Sequence, residues 1–339
     1  MIGALGAQAP TPPVAAPADV PAVRPDPYFQ PTGVLSSPYL PRVILRNIRQ
    51  DRAGNIWFAT FGGPIRYDGT SFTNYGEQVG LAGRRIFSLL EARDGALWFG
   101  SITGGASRYD GKAAKVFTAR DGLGNDDVLW ICEAADGAIW FATGHGASRW
   151  DGKAMTNLTT KDGLVDDAVY VIAQDAKGRL WFGTQGGVCS YDGKTFTALV
   201  DGDGRPFVNV RAMAFDRRGD LWFGGQQGAF RYNGKTVTTF TSKNGLLADF
   251  VGSMIVDRAG NVWMGHPGAF GAMDDVGATR YDGTSFEYVT RAKGLNSGNV
   301  YCMLEDKDGG IWFGTVDAGV CRYDGKVFKD FSAGAPPRK

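Results

Sequence analysis

Little in the composition of this 339-residue chain points to a familiar functional class. It contains only two His, and its four Cys are not spaced as the ligands of a zinc site are. The 36 Lys and Arg nearly balance the 35 Asp and Glu, so no basic surface is expected for nucleic acid or an anionic membrane. No apolar run approaches the roughly 18 residues that a transmembrane helix needs. We therefore expect no nucleic-acid partner and no membrane span.

Proline is scarce in most of the chain and concentrated near its start. Ten of the fifteen Pro lie in residues 1–42, a segment too extended to bury a core, which we interpret as a tether that is disordered over residues 1 to about 25. The stretch "MIGALGAQA" resembles the end of a secretion signal, with Ala7 and Ala9 in an A-x-A pattern. We predict a tether over 1–42, a folded domain over 43–332 and a tail over 333–339, in a periplasmic or secreted protein.

A repeat of about 41 residues fills the predicted domain. It is marked by Trp57, Trp98, Trp140, Trp181, Trp222, Trp263 and Trp312. Each copy holds four short alternating stretches, and an Asp-Gly or Asn-Gly pair before the fourth predicts a two-residue hairpin turn with positive φ at both central residues. Seven such units predict an all-β protein, a seven-bladed β-propeller with four antiparallel strands per blade. Unit seven ends with its own fourth strand, so we expect blade seven to pack on blade one, with residues 28–40 across the seam.

The repeat pattern "G-x-[IL]-W-F-G-T-x-x-G-[AV]-x-R-Y-D-G-K", with "DGL" between units, resembles the two-component regulator propeller repeat. In that family the repeats form periplasmic ligand-binding sensor regions, often fused to a membrane span and a histidine kinase. A looser resemblance, through the Trp-Phe-Thr segment of each blade, is to virginiamycin B lyase, which uses a histidine and a divalent metal. No motif around the catalytic residues of that enzyme is matched here. The first resemblance implies a binding role, and the second implies a metal-assisted enzyme.

Residues that recur in most units are interpreted as structural. The seven Trp are expected to fill the wedges between blades. An Arg precedes the aromatic of the third strand in six units and is expected to pair with a nearby Asp or carbonyl rather than to bind an anion. These are Arg66, Arg108, Arg149, Arg231, Arg280 and Arg322. Cys132, Cys189, Cys302 and Cys321 are expected to be free and mostly buried, because strand spacing keeps Cys302 from reaching Cys321.

Residues that interrupt the repeat form the predicted site. The strand order places the Gly-rich loops and the inter-blade connections on one face, where ligand-binding loops are expected. Both His are predicted to lie in Gly-rich loops of this face. The candidate ligand-binding residues are His145, His266, Trp130, Asp126, Asp127, Asp166, Asp167, Asp317, Phe270, Met273, Asp274 and Asp275.

Unit six carries an insertion, since its stretch "MGHPGAFGAMDDVGATRYDG" is eight residues longer than the matching stretch of unit four. We expect this loop to overhang the ligand face. Phe270 and Met273 would cover a ligand or pack on blade six, while Asp274 and Asp275 would offer acceptors or a weak cation site.

Two functions from different classes follow. The first is a non-catalytic, exported propeller that binds a glycan fragment, a peptide or a protein partner. The alternative is a metal-assisted lyase or hydrolase with His145 or His266 as general base. No cofactor is expected, although the His and carboxylate side chains predicted on one face could bind a divalent cation. Units three and six lie almost opposite each other in a seven-fold ring, so the two His are not expected to share one ion.

Overall fold

The computed structural model describes residues 36–40, 42–81, 85–268, 276–316, 318–332 and 334, which form a ring of seven antiparallel sheets. Within each sheet the strands follow chain order, and the first strand of each blade contacts the first strands of its neighbours. The predicted seven-bladed propeller is confirmed. Among these residues, no helix has the length and apolar character that crossing a membrane requires.

The strands are as follows. Blade one has β1 (Ser36–Ser37), β2 (Leu45–Gln50), β3 (Ile56–Thr60), β4 (Gly63–Tyr67) and β5 (Phe72–Asn74). Blade two has β6 (Ile86–Glu91), β7 (Leu97–Ser101), β8 (Ala106–Tyr109) and β9 (Ala114–Phe117). Blade three has β10 (Val128–Glu133), β11 (Ile139–Thr143), β12 (Gly146–Trp150) and β13 (Met155–Leu158). Blade four has β14 (Val169–Gln174), β15 (Leu180–Thr184), β16 (Val188–Tyr191) and β17 (Phe196–Leu199). Blade five has β18 (Ala212–Phe215), β19 (Leu221–Gly225), β20 (Gly228–Tyr232) and β21 (Val237–Phe240). Blade six has β22 (Ser253–Val256), β23 (Val262–His266), β24 (Gly277–Tyr281) and β25 (Phe286–Val289). Blade seven has β26 (Val300–Glu305), β27 (Ile311–Thr315), β28 (Val320–Tyr323) and β29 (Phe328–Asp330). Among the described residues, four inter-blade connections contain one turn of 3-10 helix, at Ala119–Asp121, Thr160–Asp162, Ser242–Asn244 and Arg291–Lys293.

The repeated Trp residues fill the wedges between blades, as predicted. All seven are buried, and Trp98 of blade two packs against Phe141 of blade three with ring centroids 5.5 Å apart. In five blades the indole Nε1 also donates a hydrogen bond to an Asp at the start of the preceding turn, as Trp312 does to Asp306 over 2.7 Å. The repeat thus places one large aromatic group and its polar partner at each of these blade junctions.

The Asp-Gly hairpins differ from the prediction in one respect. The N–H of Asp68 donates to the carbonyl of Ser71, so the two central residues are Gly69 and Thr70 rather than Asp68 and Gly69. Only Gly69 has positive φ, at +101°. Asp68 stands before the loop, and its Oδ1 accepts the N–H groups of Thr70 and Ser71 at 2.9 Å. Positive φ at both central residues was therefore wrong, because the Asp side chain supports the turn from outside it.

The Arg residues of the third strands mostly pair with carboxylates, as expected. Five of the six do so, and the pairs are Arg108–Asp94, Arg149–Asp136, Arg231–Asp220, Arg280–Glu287 and Arg322–Asp306. Arg66 differs, because its guanidinium lies over the ring of Tyr75 at 5.0 Å.

The ring closes where blade seven meets blade one. Blade seven keeps its own fourth strand, β29, as predicted. The two-residue strand β1 adds a fifth strand to blade one by pairing with β5, which the repeat did not predict. Leu40 follows β1, is fully buried, and donates its N–H to the carbonyl of Phe331 over 3.1 Å. The described end of the N-terminal segment therefore joins the outer edges of both blades, while residues 28–35 lie outside the described residues.

The four Cys are free, and three of them are buried while Cys132 is half-buried, which confirms the prediction. Burial raises the pKa of Cys132 and Cys189 to about 11 and that of Cys302 and Cys321 to about 12. These thiols are therefore protonated at neutral pH and behave as small apolar side chains.

Candidate ligand-binding channel

A channel lies between the first strands of all seven blades. Its volume is about 740 Å³, within the range of about 300–1,000 Å³ that is typical of small-molecule sites. Its wall extends from Gln226 and Pro267, in the Gly-rich loops of blades five and six, to Phe215 and Val256 at the opposite ends of their first strands. The channel wall therefore includes residues of the face that carries the Gly-rich loops.

A register shift near the start of the first strand decides which side chain enters the channel wall. In β2, Leu45 pairs with Thr60 and Asn47 with Ala59, so Arg46 is the extra residue of a β-bulge. The same shift leaves one residue unpaired in four further blades, and these residues are Phe87, Leu129, Tyr170 and Tyr301. A bulge re-aims the side chain of its extra residue, and all five residues line the channel.

The guanidinium of Arg46 lies between two aromatic rings. Its Cζ is 4.5 Å from the ring centre of Phe87 and 4.8 Å from that of Tyr301. Phe87 stacks in turn on Phe61 of a Gly-rich loop, with centroids 5.5 Å apart. Cation–π contacts occupy the flat faces of a guanidinium and leave the N–H groups at its edge available. Arg46 is thus held in place without using its hydrogen-bond donors on another described residue.

Arg211 is held in a similar way on the blade-five side of the channel. Its Cζ lies 4.3 Å from the ring centre of Tyr170, and its Nε donates to Oδ1 of Asn209 over 2.9 Å. Asn209 has a φ of +54°, a left-handed conformation that Asn adopts more readily than most residues. Because Nε is the only side-chain donor of Arg211 bonded to a described residue, its terminal nitrogens remain available to a ligand.

A third cation lies beside Trp130, which is the one predicted site residue among the described residues that lines the channel. Arg49 lies over the indole of Trp130, with its Cζ 5.5 Å from the ring centre. Desolvation by the surrounding protein lowers the pKa of Arg49, although the residue is exposed to solvent. Trp130 was singled out because no other unit has Trp at this position, and the structure places it in the wall.

The described charged side chains that line the channel are of one sign. Arg46, Arg49 and Arg211 line it, and no Asp or Glu among the described residues does. Burial lowers the pKa of Arg46 to about 10, and the charge of Arg211 adds to this effect while Tyr301 opposes it. At neutral pH the guanidinium of Arg46 still carries its proton, so the described residues of the channel wall contribute positive charge.

Two of the predicted acidic residues hold the inter-blade connections in shape. Oδ1 of Asp126 accepts the N–H of Ala119, and Oδ1 of Asp167 accepts the N–H of Thr160, each over 2.7 Å. Both acceptors therefore cap the first residue of a 3-10 turn, which is one of the standard uses of an Asp side chain.

Asp127 and Asp166 also accept hydrogen bonds from backbone N–H groups of loops. Oδ1 of Asp127 accepts the N–H of Thr103 over 2.7 Å, and Oδ1 of Asp166 accepts the N–H of Ala168 over 2.8 Å. Neither residue lines the channel. None of the four inter-blade carboxylates therefore shares the channel wall with Trp130.

The two His residues differ sharply in environment. His266 is the last residue of β23 rather than part of a loop, and it is fully buried. Its Nδ1 lies 2.9 Å from the carbonyl of Phe250 and its Nε2 lies 2.8 Å from Oγ1 of Thr279. Burial lowers its pKa to about 4, so the ring is neutral and sealed in blade six. The placement of His266 in the Gly-rich loop was therefore wrong, because its position is the last residue of the second strand in every blade, as Thr143 is in blade three and Thr315 in blade seven.

His145 lies in the Gly-rich loop of blade three and is exposed. Its backbone N–H is bonded to Oγ1 of Thr143, and no hydrogen bond joins its ring to another described residue. Phe270, Met273, Asp274, Asp275 and Asp317 lie outside the described residues. Within the described part of the chain, no group of three or more His, Cys, Asp or Glu side chains could hold a metal ion.

Sequence reasoning missed the three Arg residues of the channel. It singled out the Arg that recurs before the third-strand aromatic, whereas Arg46 and Arg211 occupy a first-strand position that differs from blade to blade. Aligning the first strands shows Arg, Phe, Leu, Tyr, Arg, Gly and Tyr at that position. This variation, among otherwise regular columns, was the available signal.

The chain is similar in its repeats to a known protein family. Its repeats match the two component regulator propeller family. The matched stretches are residues 80–103, 122–145, 163–186 and 294–317. No curated protein sequence matches the chain significantly.

Solved structures with a similar fold include the extracellular domain of the hybrid two component system BT3049 from B. thetaiotaomicron, at 22% identity and a TM-score of 0.73. A second is the extracellular domain of the one component system BT4673 from the same organism, at 20% identity and a TM-score of 0.67. Each comparison covers 84% of this chain but only 39% of the solved one. Virginiamycin B lyase from Staphylococcus aureus is also similar, at 16% identity and a TM-score of 0.64, over 84% of this chain and 96% of the lyase. At these identities the similarity shows the propeller fold.

Proposed function

We propose that this chain is a non-catalytic, exported propeller of the sensor type that binds a small ligand in its central channel. The observation that carries the proposal is the contrast between two sets of residues. Those that recur between blades are used in packing and turns, whereas the bulge residues that line the channel differ between blades, and one of them, Arg46, has its donors bonded to no other described residue. A site of this kind is where a common fold acquires an individual function.

The proposed location and role draw support from the similar structures. BT3049 and BT4673 are described as extracellular domains of signalling systems. An exported binding role for this chain agrees with both, and with the resemblance of its first residues to a secretion signal. A small ligand suits the channel volume, whereas a protein partner would engage the outer loop face.

The proposal is tested with a ligand panel and one aromatic variant. Thermal-shift measurements on the full chain would screen glycan fragments, short peptides, small organic acids and divalent cations. The indole of Trp130 lies in the channel wall, so Trp130→Ala should abolish the shift that a channel ligand produces. Tyr288→Ala is the matched control, because Tyr288 is an exposed aromatic on the outer strand β25. A ligand whose binding survives Trp130→Ala unchanged would place the site elsewhere.

The lyase or hydrolase alternative now depends on His145, because His266 is sealed inside blade six. An exposed imidazole without a bond to another described residue could act as a base. Turnover of a panel compound that disappears in His145→Ala, while binding of that compound is retained, would favour the enzyme. Binding without turnover in both proteins would favour the sensor-type module.

A further inference from the structure

The Arg residues of this protein fall into two groups that differ in their partners. Among the third-strand Arg residues, five of six pair with a carboxylate, as Arg322 does with Asp306. The channel residues Arg46, Arg49 and Arg211 have no such partner among the described residues. Arg46 and Arg211 are half-buried, and a guanidinium that is partly removed from bulk water is normally paired, because leaving its charge uncompensated costs free energy.

The uncompensated charges are also close enough to oppose one another. Both guanidiniums line the channel, and the charge of Arg211 contributes to the lowered pKa of Arg46. Aromatic rings and Asn209 hold the guanidiniums in these positions. This arrangement disfavours the empty channel electrostatically, and a bound anion would remove that cost.

The channel wall between the cations carries aromatic and aliphatic side chains. Trp130 and Tyr170 lie in the wall together with Leu129 and Met213. Aromatic and aliphatic surfaces of this kind bind the flat face of a ring, whether that ring is aromatic or a sugar. Guanidinium edges favour oxyanions, with which they can form two parallel hydrogen bonds.

We infer that the channel binds a small organic carboxylate whose ring lies against Trp130 and Tyr170 and whose carboxylate is held by Arg46 and Arg211. The inference rests on the proposed ligand-binding function and adds the chemical class of the ligand. The inferred ligand carries a carboxylate in either case. Its ring is that of an aromatic acid or that of an acidic sugar, and the experiment distinguishes the two.

The test is calorimetric titration of the full chain with matched probes. Naphthalene-2-carboxylate represents the aromatic acids and trigalacturonate the acidic sugars, while naphthalene-2-carboxamide and a neutral galactose trimer are their uncharged counterparts. At least one acid should bind, and its neutral counterpart should bind at least about tenfold more weakly. Raising the salt concentration from about 20 mM to about 300 mM should weaken binding of the acid more than that of the neutral probe.

Two substitutions locate the carboxylate. Arg46→Met and Arg211→Met each remove a charge while keeping a long apolar side chain, and each should weaken binding of the acid at least about tenfold. Arg205→Met is the matched control, because Arg205 is exposed outside the channel, and it should leave the affinity unchanged. Unfolding temperatures of all variants are measured alongside. If one channel variant does not fold, the other gives the answer.

The outcomes separate this inference from the proposed function. Two results would refute the carboxylate but leave the channel as a ligand site. In the first, a neutral counterpart binds as tightly as its acid and loses binding in Trp130→Ala. In the second, neither acid binds, yet a ligand from the thermal-shift panel binds the wild-type protein and loses binding in Trp130→Ala. An acid that binds all variants equally, Trp130→Ala included, must lie outside the channel and would refute the carboxylate inference. The proposed function would fail as well if no panel ligand lost binding in Trp130→Ala.

Discussion

The backbone N–H of Lys307 donates a hydrogen bond to Oε1 of Gln50 over 2.7 Å, joining residues that are 257 positions apart in the chain. The same link recurs between consecutive blades, as where Arg93 N–H meets Oε2 of Glu133 over 2.7 Å. Three further junctions use Glu91, Gln174 and Glu305 as acceptors. A polar side chain at the end of the first strand therefore connects five of the seven junctions, including the one that no direct chain connection bridges.

Gln50→Ala tests how the ring closes. Gln174 makes the same two side-chain bonds as Gln50, one to a turn N–H of the preceding blade and one to a Gly carbonyl, so Gln174→Ala is the matched control. Both variants should lose about 1 kcal/mol in the free energy of unfolding. Only Gln50→Ala should speed amide hydrogen exchange in β2 and β26, because blades seven and one are not held together by consecutive residues. Equal exchange changes in the two variants would show that the seam is no weaker than other junctions.

Leu40→Ala tests the contribution of the N-terminal segment. Leu40 is fully buried in one cluster with Phe72 and Phe331, which belong to blades one and seven. The variant should lose about 3 kcal/mol in the free energy of unfolding, measured in urea, because it leaves a cavity between the two blades. Val327→Ala, at a residue that is 63% exposed, should change little. A loss below about 1 kcal/mol in Leu40→Ala would contradict a structural role for the seam contact.

Asp306→Ala tests the buried ion pair of blade seven. The carboxylate of Asp306 accepts from Nε of Arg322 over 2.5 Å and from Nε1 of Trp312 over 2.7 Å. Burial works to raise its pKa, but these hydrogen bonds outweigh burial and the pKa is lowered. Removing the carboxylate leaves a guanidinium and an indole without their acceptor, so the free energy of unfolding should fall by about 3 kcal/mol.

The control for Asp306→Ala is Asp94→Ala in blade two. The side chain of Asp94 is 56% exposed and pairs with Arg108 over 2.7 Å. Because an exposed pair contributes little, this variant should lose about 0.5 kcal/mol. Chemical denaturation of both variants gives the comparison. Similar losses would mean that the burial of Asp306 has no energetic consequence.

His266 should make stability depend on pH. Its pKa is about 4 in the folded protein, against 6.5 without burial, so the unfolded chain binds the extra proton between these values. The free energy of unfolding should therefore be highest above about pH 6.5 and fall by up to about 3 kcal/mol as the pH approaches 4. In His266→Gln this contribution should be absent, whereas exposed His145→Gln should keep the wild-type dependence. Urea unfolding at a series of pH values would measure it. An identical dependence in His266→Gln would assign the effect to other groups.

Much of the fold was predictable because each blade repeats the same local solution. The recurring Trp predicted the number of blades. The recurrence of Arg before the third-strand aromatic predicted that residues such as Arg108 pair with nearby carboxylates. The channel was less predictable, because its chemistry depends on bulges. Nothing in the amino-acid sequence around Arg46 shows that Leu45 and Asn47 pair with adjacent residues of β3. Arg46 enters the channel wall because of that register. Similarly, the extra strand β1 depends on β5 offering a free edge to Ser36–Ser37.

The bulge in the first strand has a consequence for how proteins of this design can diversify. Its extra residue is not paired in the ladder between the first and second strands, so exchanging Arg46 for a ring, or Tyr170 for a cation, leaves the neighbouring pairs of β2 or β14 in register. Side chains at these positions of the channel wall can therefore be exchanged in many combinations while the packing of the blades stays the same. Selection acting on ligand choice and selection acting on folding would then operate on separate sets of residues.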